Sequence, residues 1–138
     1  MNPDLIAAGI SPFLPDKAAF HAGRLMLAEM NRHAFNGESF AFETTLSGKT
    51  YGQMILEWQQ MGYRVKLLFL YLSDVAIAIE RVKYRVEQGG HNIPEKIVRR
   101  SYEKGWQNFQ SLYKHLVDAW ILFDNSGISP RLLDQGGK

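Results

Sequence analysis

Apolar positions recur at helical spacing in several stretches of the chain and cluster into short runs between them. Phe20, Gly23, Leu27, Met30 and Ala34 follow one another three or four residues apart, after a turn framed by Pro12 and Pro15. Asp16 is placed to cap this helix and Gly37 to stop it. Tyr51, Ile55, Trp58 and Met61 mark the face of a second helix, which Gly62 ends. Val75, Ile79, Val82 and Val86 line a third, capped by Asp74 and running to Gly89-Gly90. Pro94 suits the first turn of another helix that passes Arg99. Phe109, Leu112 and Leu116, with Tyr113, belong to a further one.

The runs between these helices predict strands. Ser39 to Phe42 is short and apolar-rich. Val65 to Leu72 is the clearest, and its continuous apolar character predicts a buried, parallel position. Ala119 to Phe123 is a third strand, followed by the turn Asn125-Ser126-Gly127, and Arg131 to Leu133 is a short fourth candidate. Strands separated by helices predict a layered α/β fold with a mostly parallel sheet.

Composition narrows the chemistry. At 138 residues, with 46% apolar and 22% charged, the chain is expected to form one soluble globular domain. It has no cysteine, which excludes disulfides, thiolate zinc sites and cysteine nucleophiles. No apolar run is long enough for a bilayer and no secretory signal is evident, so the expected compartment is the cytoplasm. The net charge of +2 is unevenly placed. Residues 81 to 104 hold Arg81, Lys83, Arg85, Lys96, Arg99, Arg100 and Lys104 against Glu87, Glu95 and Glu103. A local basic segment suits a compact anion better than a nucleic acid, which meets a wider field.

Three groups of residues offer chemistry. Asp4, in a turn, is placed to orient or deprotonate an attacking hydroxyl. Glu43, Thr44 and Thr45 follow a predicted strand, where α/β sheets hold polar ligands, and suit sugar or ribose hydroxyls. Arg81 and Arg85, four apart on one helical side, suit charge on a transferring phosphoryl group. Gly89-Gly90 after them suits a mobile lid, and His91, Arg99 and Arg100 are further candidates for phosphate contact. Arg99 and Arg100 point to different azimuths of their helix, so at most one is expected in the same pocket. Gly48-Lys49-Thr50 ends like a phosphate loop, but Glu43 stands where G-x-x-x-x-G-K-[ST] needs glycine. The histidines His21, His33 and His115 make no metal spacing with the carboxylates, and no serine lies in a nucleophile elbow.

Asn2-Pro3-Asp4-Leu5-Ile6-Ala7, Phe40-Ala41-Phe42-Glu43-Thr44-Thr45-Leu46-Ser47-Gly48 and Arg81-Val82-Lys83-Tyr84-Arg85-Val86-Glu87-Gln88-Gly89-Gly90-His91-Asn92-Ile93-Pro94 together resemble the zeta-toxin-type P-loop kinases. Arg99-Arg100 and Leu122-Phe123-Asp124-Asn125-Ser126 fit the same pattern, so the likeness covers nearly the whole chain. It implies transfer of phosphate from ATP, with Mg²⁺, to a hydroxyl of a small acceptor such as UDP-N-acetylglucosamine. Asp4 matches the activating carboxylate, and Glu43 and Thr44 the acceptor-holding segment. Arg85 matches the charge-stabilising arginine, with Arg81 as its alternative. His91 stands where the family has a second phosphate-contacting arginine. The family places a strand and phosphate loop ahead of the Asn-Pro-Asp motif. The expectation is therefore a truncated kinase domain over 1–138, an incomplete three-layer P-loop fold with impaired catalysis. Two alternatives stand beside it: a non-catalytic, self-associating relative, and a degenerate ATPase using Gly48-Lys49-Thr50. The expected partners are the phosphate acceptor, a second copy in a homodimer and an antitoxin, with neither membrane nor nucleic acid.

Overall fold

The computed structural model describes residues 15–90 and 92–138, with side chains from Ala22 onward. It divides into two compact units, Met1–Thr44 and Thr45–Lys138.

In the first unit, helix α1 spans Pro15–Phe35. Proline at the first position suits a helix start, so Asp16 lies inside the first turn rather than at the cap. Ala22, Met26, Met30 and Ala34, spaced by four, form its buried stripe. In the last turn His33 lies between Glu29 (3.3 Å) and Glu38 (2.9 Å) and stacks on Phe40 at 6.0 Å between ring centroids. Residues 38–47 carry no strand, so the strand expected at Ser39–Phe42 is absent among the described residues.

In the second unit the order is α2 (Thr50–Gln60), β1 (Lys66–Tyr71), α3 (Val75–Glu87), α4 (Glu95–Asn108), β2 (Ala119–Asp124) and β3 (Arg131–Gly137). The two helices expected around Pro94 and Phe109 are one continuous rod. After α4 the chain passes through a π segment, Phe109–Tyr113, into a last turn, Lys114–Leu116.

The sheet order is β1-β2-β3, with β1 and β2 parallel and β2 and β3 antiparallel. This corrects the expectation of a mostly parallel, three-layer P-loop sheet. The reason is connection length: only residues 125–130 join β2 to β3, whereas a parallel return needs a crossover of about a dozen residues or more. β1 also departs from the buried strand expected. Its side chains alternate, and Leu68 and Leu70 are 60% and 52% exposed.

The other face of β1 carries the core. Phe109 stacks on Phe69 at 4.6 Å, meets Trp120 edge-on at 5.7 Å and lies 5.9 Å from Trp106. Trp106 in turn packs on Tyr71 at 4.5 Å. The edge-on contact with Trp120 is one of the favoured arrangements for aromatic rings, and all four centroid separations fall in the range of such pairs. α2 seats Gly52 against Leu112 and Leu116, both 3.6 Å from where a Cβ would stand.

Asp118 ties the amino-terminal ends of β1 and β2 together. Its carboxylate accepts from the Val65 amide at 2.7 Å and from Gln59 at 3.2 Å. Chiefly the Val65 bond, then Gln59, holds this carboxyl below the usual carboxylate range. A group depressed in the folded state adds stability above its unfolded pKa, about 3.9, and loses it as pH falls through the folded value. Asp118→Asn is therefore expected to melt below wild type at neutral pH. The gap should close as pH drops below about 4, measured as Tm against pH.

Candidate functional site

Because β1 and β2 run parallel, their carboxyl ends lie side by side, and the loops leaving them form one polar rim. The Asn125 amide donates to the Tyr71 carbonyl at 2.7 Å, and the Ser73 amide to the Ser126 hydroxyl at 2.8 Å. That hydroxyl lies 3.1 Å from the Ser73 hydroxyl. Tyr102, on α4, donates to the Leu72 carbonyl at 2.8 Å, and burial pushes its phenol upward. Asp124 accepts from the Ser126 amide at 3.0 Å and pairs with Arg131 at 3.3 Å. The Ser126 hydroxyl and amide, with Arg131 behind them, hold the Asp124 carboxyl below its usual range. Arg81 reaches across from α3 and donates to the Asn125 carbonyl. A fixed guanidinium, an ionised carboxylate and several hydroxyls thus share the edge where α/β sheets bind ligands.

Arg85 is exposed one turn beyond Arg81, in the last turn of α3. The glycines after it are a helix cap. Gly89 has φ +88, its amide donates to Val86, and the Gly90 amide donates to the Arg85 carbonyl at 2.7 Å. A left-handed residue with this bond pair is the Schellman ending. A Cβ on Gly90 would lie 2.7 Å from the Arg85 oxygen. The capping geometry accounts for both glycines that the sequence suggested as a lid. The same bond pair ends α1 at Gly37 and α2 at Gly62.

Arg99 and Arg100 are exposed near the start of α4, and Arg99 lies 3.4 Å from Glu95. α3 and α4 pack through Ile79, Val82 and Val98, which places all four arginines on one helix pair. Glu43 and Thr44 end the first unit and Thr45 begins the second. Asp4 and His91 lie outside the described residues.

The segment from Thr45 to Gly48 is held tightly. Leu46 is buried at φ +56, a conformation that costs a residue with a bulky side chain about 1–3 kcal/mol. Its carbonyl accepts from Nδ2 of buried Asn108 at 2.7 Å. The Gly48 carbonyl accepts from the Tyr113 hydroxyl at 2.6 Å. The Thr45 hydroxyl lies 2.8 Å from that of Ser47 and 3.4 Å from its amide. Two carbonyls are turned toward α4 and its continuation, one amide is turned onto a side chain, and no strand precedes the run. Residues 43–50 do not fit an ATP phosphate cradle, which needs consecutive inward N–H groups after a strand. No step is assigned to Gly48-Lys49-Thr50.

Sequence reasoning left Ser73, Tyr102, Asn108, Tyr113 and Arg131 without a role. Asp124-Asn125-Ser126 after an apolar run was a readable signal for the rim. Nothing local marks Asn108, whose partner lies 62 residues away.

Residues 18–132 match the family model described as Zeta toxin. The chain belongs to the zeta toxin family. The matched stretch takes in Glu43, Thr44, Thr45, the four arginines and the Asp124 rim, and Asp4 precedes it. Membership supports a kinase-like function in general. The chain is 33% identical over 102 residues to an uncharacterized protein of Haemophilus influenzae (strain ATCC 51907 / DSM 11121 / KW20 / Rd), covering 74% of this chain and 73% of that protein. No solved structure gives a significant match. Among the described residues no helix is long and apolar enough to cross a membrane, and no cluster of three or more metal-ligating side chains occurs.

Proposed function

We infer that this chain carries the acceptor-binding and charge-stabilising side of a zeta-toxin-type kinase, acting on a hydroxyl of a nucleotide sugar. The observation that carries the reading is Arg81, pinned to the Asn125 carbonyl at the carboxyl ends of two parallel strands. The family match over residues 18–132 supplies the reaction class.

In this reading Asp4 takes the proton of the acceptor hydroxyl. Glu43, Thr44 and Thr45 hold the sugar. Arg85, exposed one turn beyond Arg81, stabilises charge on the transferring phosphoryl group, while Arg81 is committed to holding the rim. His91, Arg99 and Arg100 contact phosphate. ATP and Mg²⁺ enter through the family relation. The 138 residues contain no G-x-x-x-x-G-K-[ST] run, so the chain by itself is expected to turn ATP over poorly. The proposed setting is the cytoplasm, with an antitoxin as partner.

Titration of the purified chain with UDP-N-acetylglucosamine, beside an assay of Mg²⁺-dependent ATP consumption, tests the reading. Binding weakened by Glu43→Gln, with no ATP turnover, is expected. Absence of binding sinks the acceptor assignment. Appreciable turnover abolished by Asp4→Asn overturns the expected impairment.

A second reading, self-association, is favoured by β1, an edge strand of the described sheet whose exposed face shows Leu68 and Leu70. Such edges pair readily with another strand. Sedimentation velocity at rising concentration decides it.

A further inference from the structure

Asn108 and Tyr113 grip the same short segment, yet they stand five residues apart. In α geometry, five residues turn about 140° around the helix axis, so a regular helix would direct the two side chains to different faces. The π segment Phe109–Tyr113 lies between them. A π turn closes i to i+5 with more residues per turn, so it brings the fifth residue closer to the face of the first than α geometry does. The helix departs from α geometry at the place where this alignment is needed. Both gripping groups are buried: Asn108 is 5% exposed and Tyr113 0%. Gly105, one turn before Asn108, is the third element. A Cβ there would stand 2.2 Å from the Thr45 carbonyl oxygen, so the segment rests directly on the helix backbone.

We propose that the π segment aligns Asn108 and Tyr113 as positioning residues that lock Thr45–Gly48 in its left-handed turn, and that this turn sets acceptor recognition. The second half rests on the acceptor reading above, because Thr45 belongs to the segment assigned to the sugar. Neither residue touches substrate. Each acts through a main-chain carbonyl, Asn108 on Leu46 and Tyr113 on Gly48. The left-handed Leu46 is what the lock maintains. Without the two donors, the turn loses the side-chain hydrogen bonds that hold its Leu46 and Gly48 carbonyls.

The test uses Tyr113→Phe, which removes one hydroxyl and keeps the buried ring, with Asn108→Ala as the second variant. Backbone NMR reads the lock directly, and calorimetric titration with UDP-N-acetylglucosamine reads its consequence. The expected result is that order parameters of residues 45–48 fall from about 0.85 to below about 0.6. The Leu46 carbon shifts should move away from left-handed values, while those of β2 stay unchanged. Affinity for the nucleotide sugar should fall roughly tenfold, the scale of one lost hydrogen bond. Unchanged order in both variants overturns the lock. A loosened segment with unchanged affinity overturns its role in recognition. If wild type binds no nucleotide sugar, the acceptor reading and the recognition half of the proposal fail together, and the NMR comparison alone decides the lock.

Discussion

Phe109→Ala is expected to remove about 3–5 kcal/mol of stability, the range for truncating a buried aromatic ring. The ring is 1% exposed and contacts Phe69, Trp106 and Trp120 from one position between α4 and the sheet. Its removal takes both the transfer energy of the ring and the contacts of three large neighbours. A domain of this kind holds only about 5–15 kcal/mol in total. The variant should therefore unfold at a markedly lower urea midpoint, with a substantial unfolded fraction in buffer if wild type is at the lower end. Phe109 is also the first residue of the π segment, so the loss should reach the Thr45–Gly48 turn. A cost below about 1 kcal/mol, the scale of a surface change, would show that the aromatic layer is not packed as described.

Gly105→Ala has the second largest expected effect, and its sign is diagnostic. Gly105 lies inside a helix, where alanine is favoured over glycine by about 1 kcal/mol. Were the space beside it open, the variant would be more stable. The Thr45 carbonyl stands 2.2 Å from the added carbon, and a main-chain atom cannot swing aside as a side chain can. Either α4 or the Thr45–Gly48 turn must shift. The net expectation is destabilisation by about 1–3 kcal/mol, the usual cost of overpacking. That corresponds to a Tm lower by roughly 3–10 °C for a chain of this length. A higher Tm would place the turn away from the helix and remove the ground for the lock.

The arginines illustrate how far the site could be read from residues alone. Their helical spacing put Arg81 and Arg85 on one side of one helix, and α3 has them there. Spacing could not separate their roles. Arg81 is engaged with a carbonyl 44 residues away, while Arg85 is exposed. The glycines after them show the opposite limit. Two adjacent glycines suit either a hinge or a cap, and the hydrogen bonds to Val86 and Arg85 choose the cap. Ser39–Phe42 failed as a strand for a different reason. Apolar composition permits extension, but a strand exists only where a neighbour supplies its ladder.

Sequence alone determined the features whose causes lie within a few residues. Helix α3 begins at Asp74 because that side chain reaches the Ala76 amide, and it ends at Gly89 because the left-handed cap there favours glycine. The apolar runs at β1 and β2, and the family motifs, were legible on the same basis. Tertiary structure decided whatever depends on a distant partner. It made β3 antiparallel, left one face of β1 in solvent, and converted part of a helix to π geometry. The physical reason is range: caps and periodicity are satisfied by neighbouring backbone, whereas Asn108 and Tyr113 find their acceptors 62 and 65 residues away, where no local pattern points.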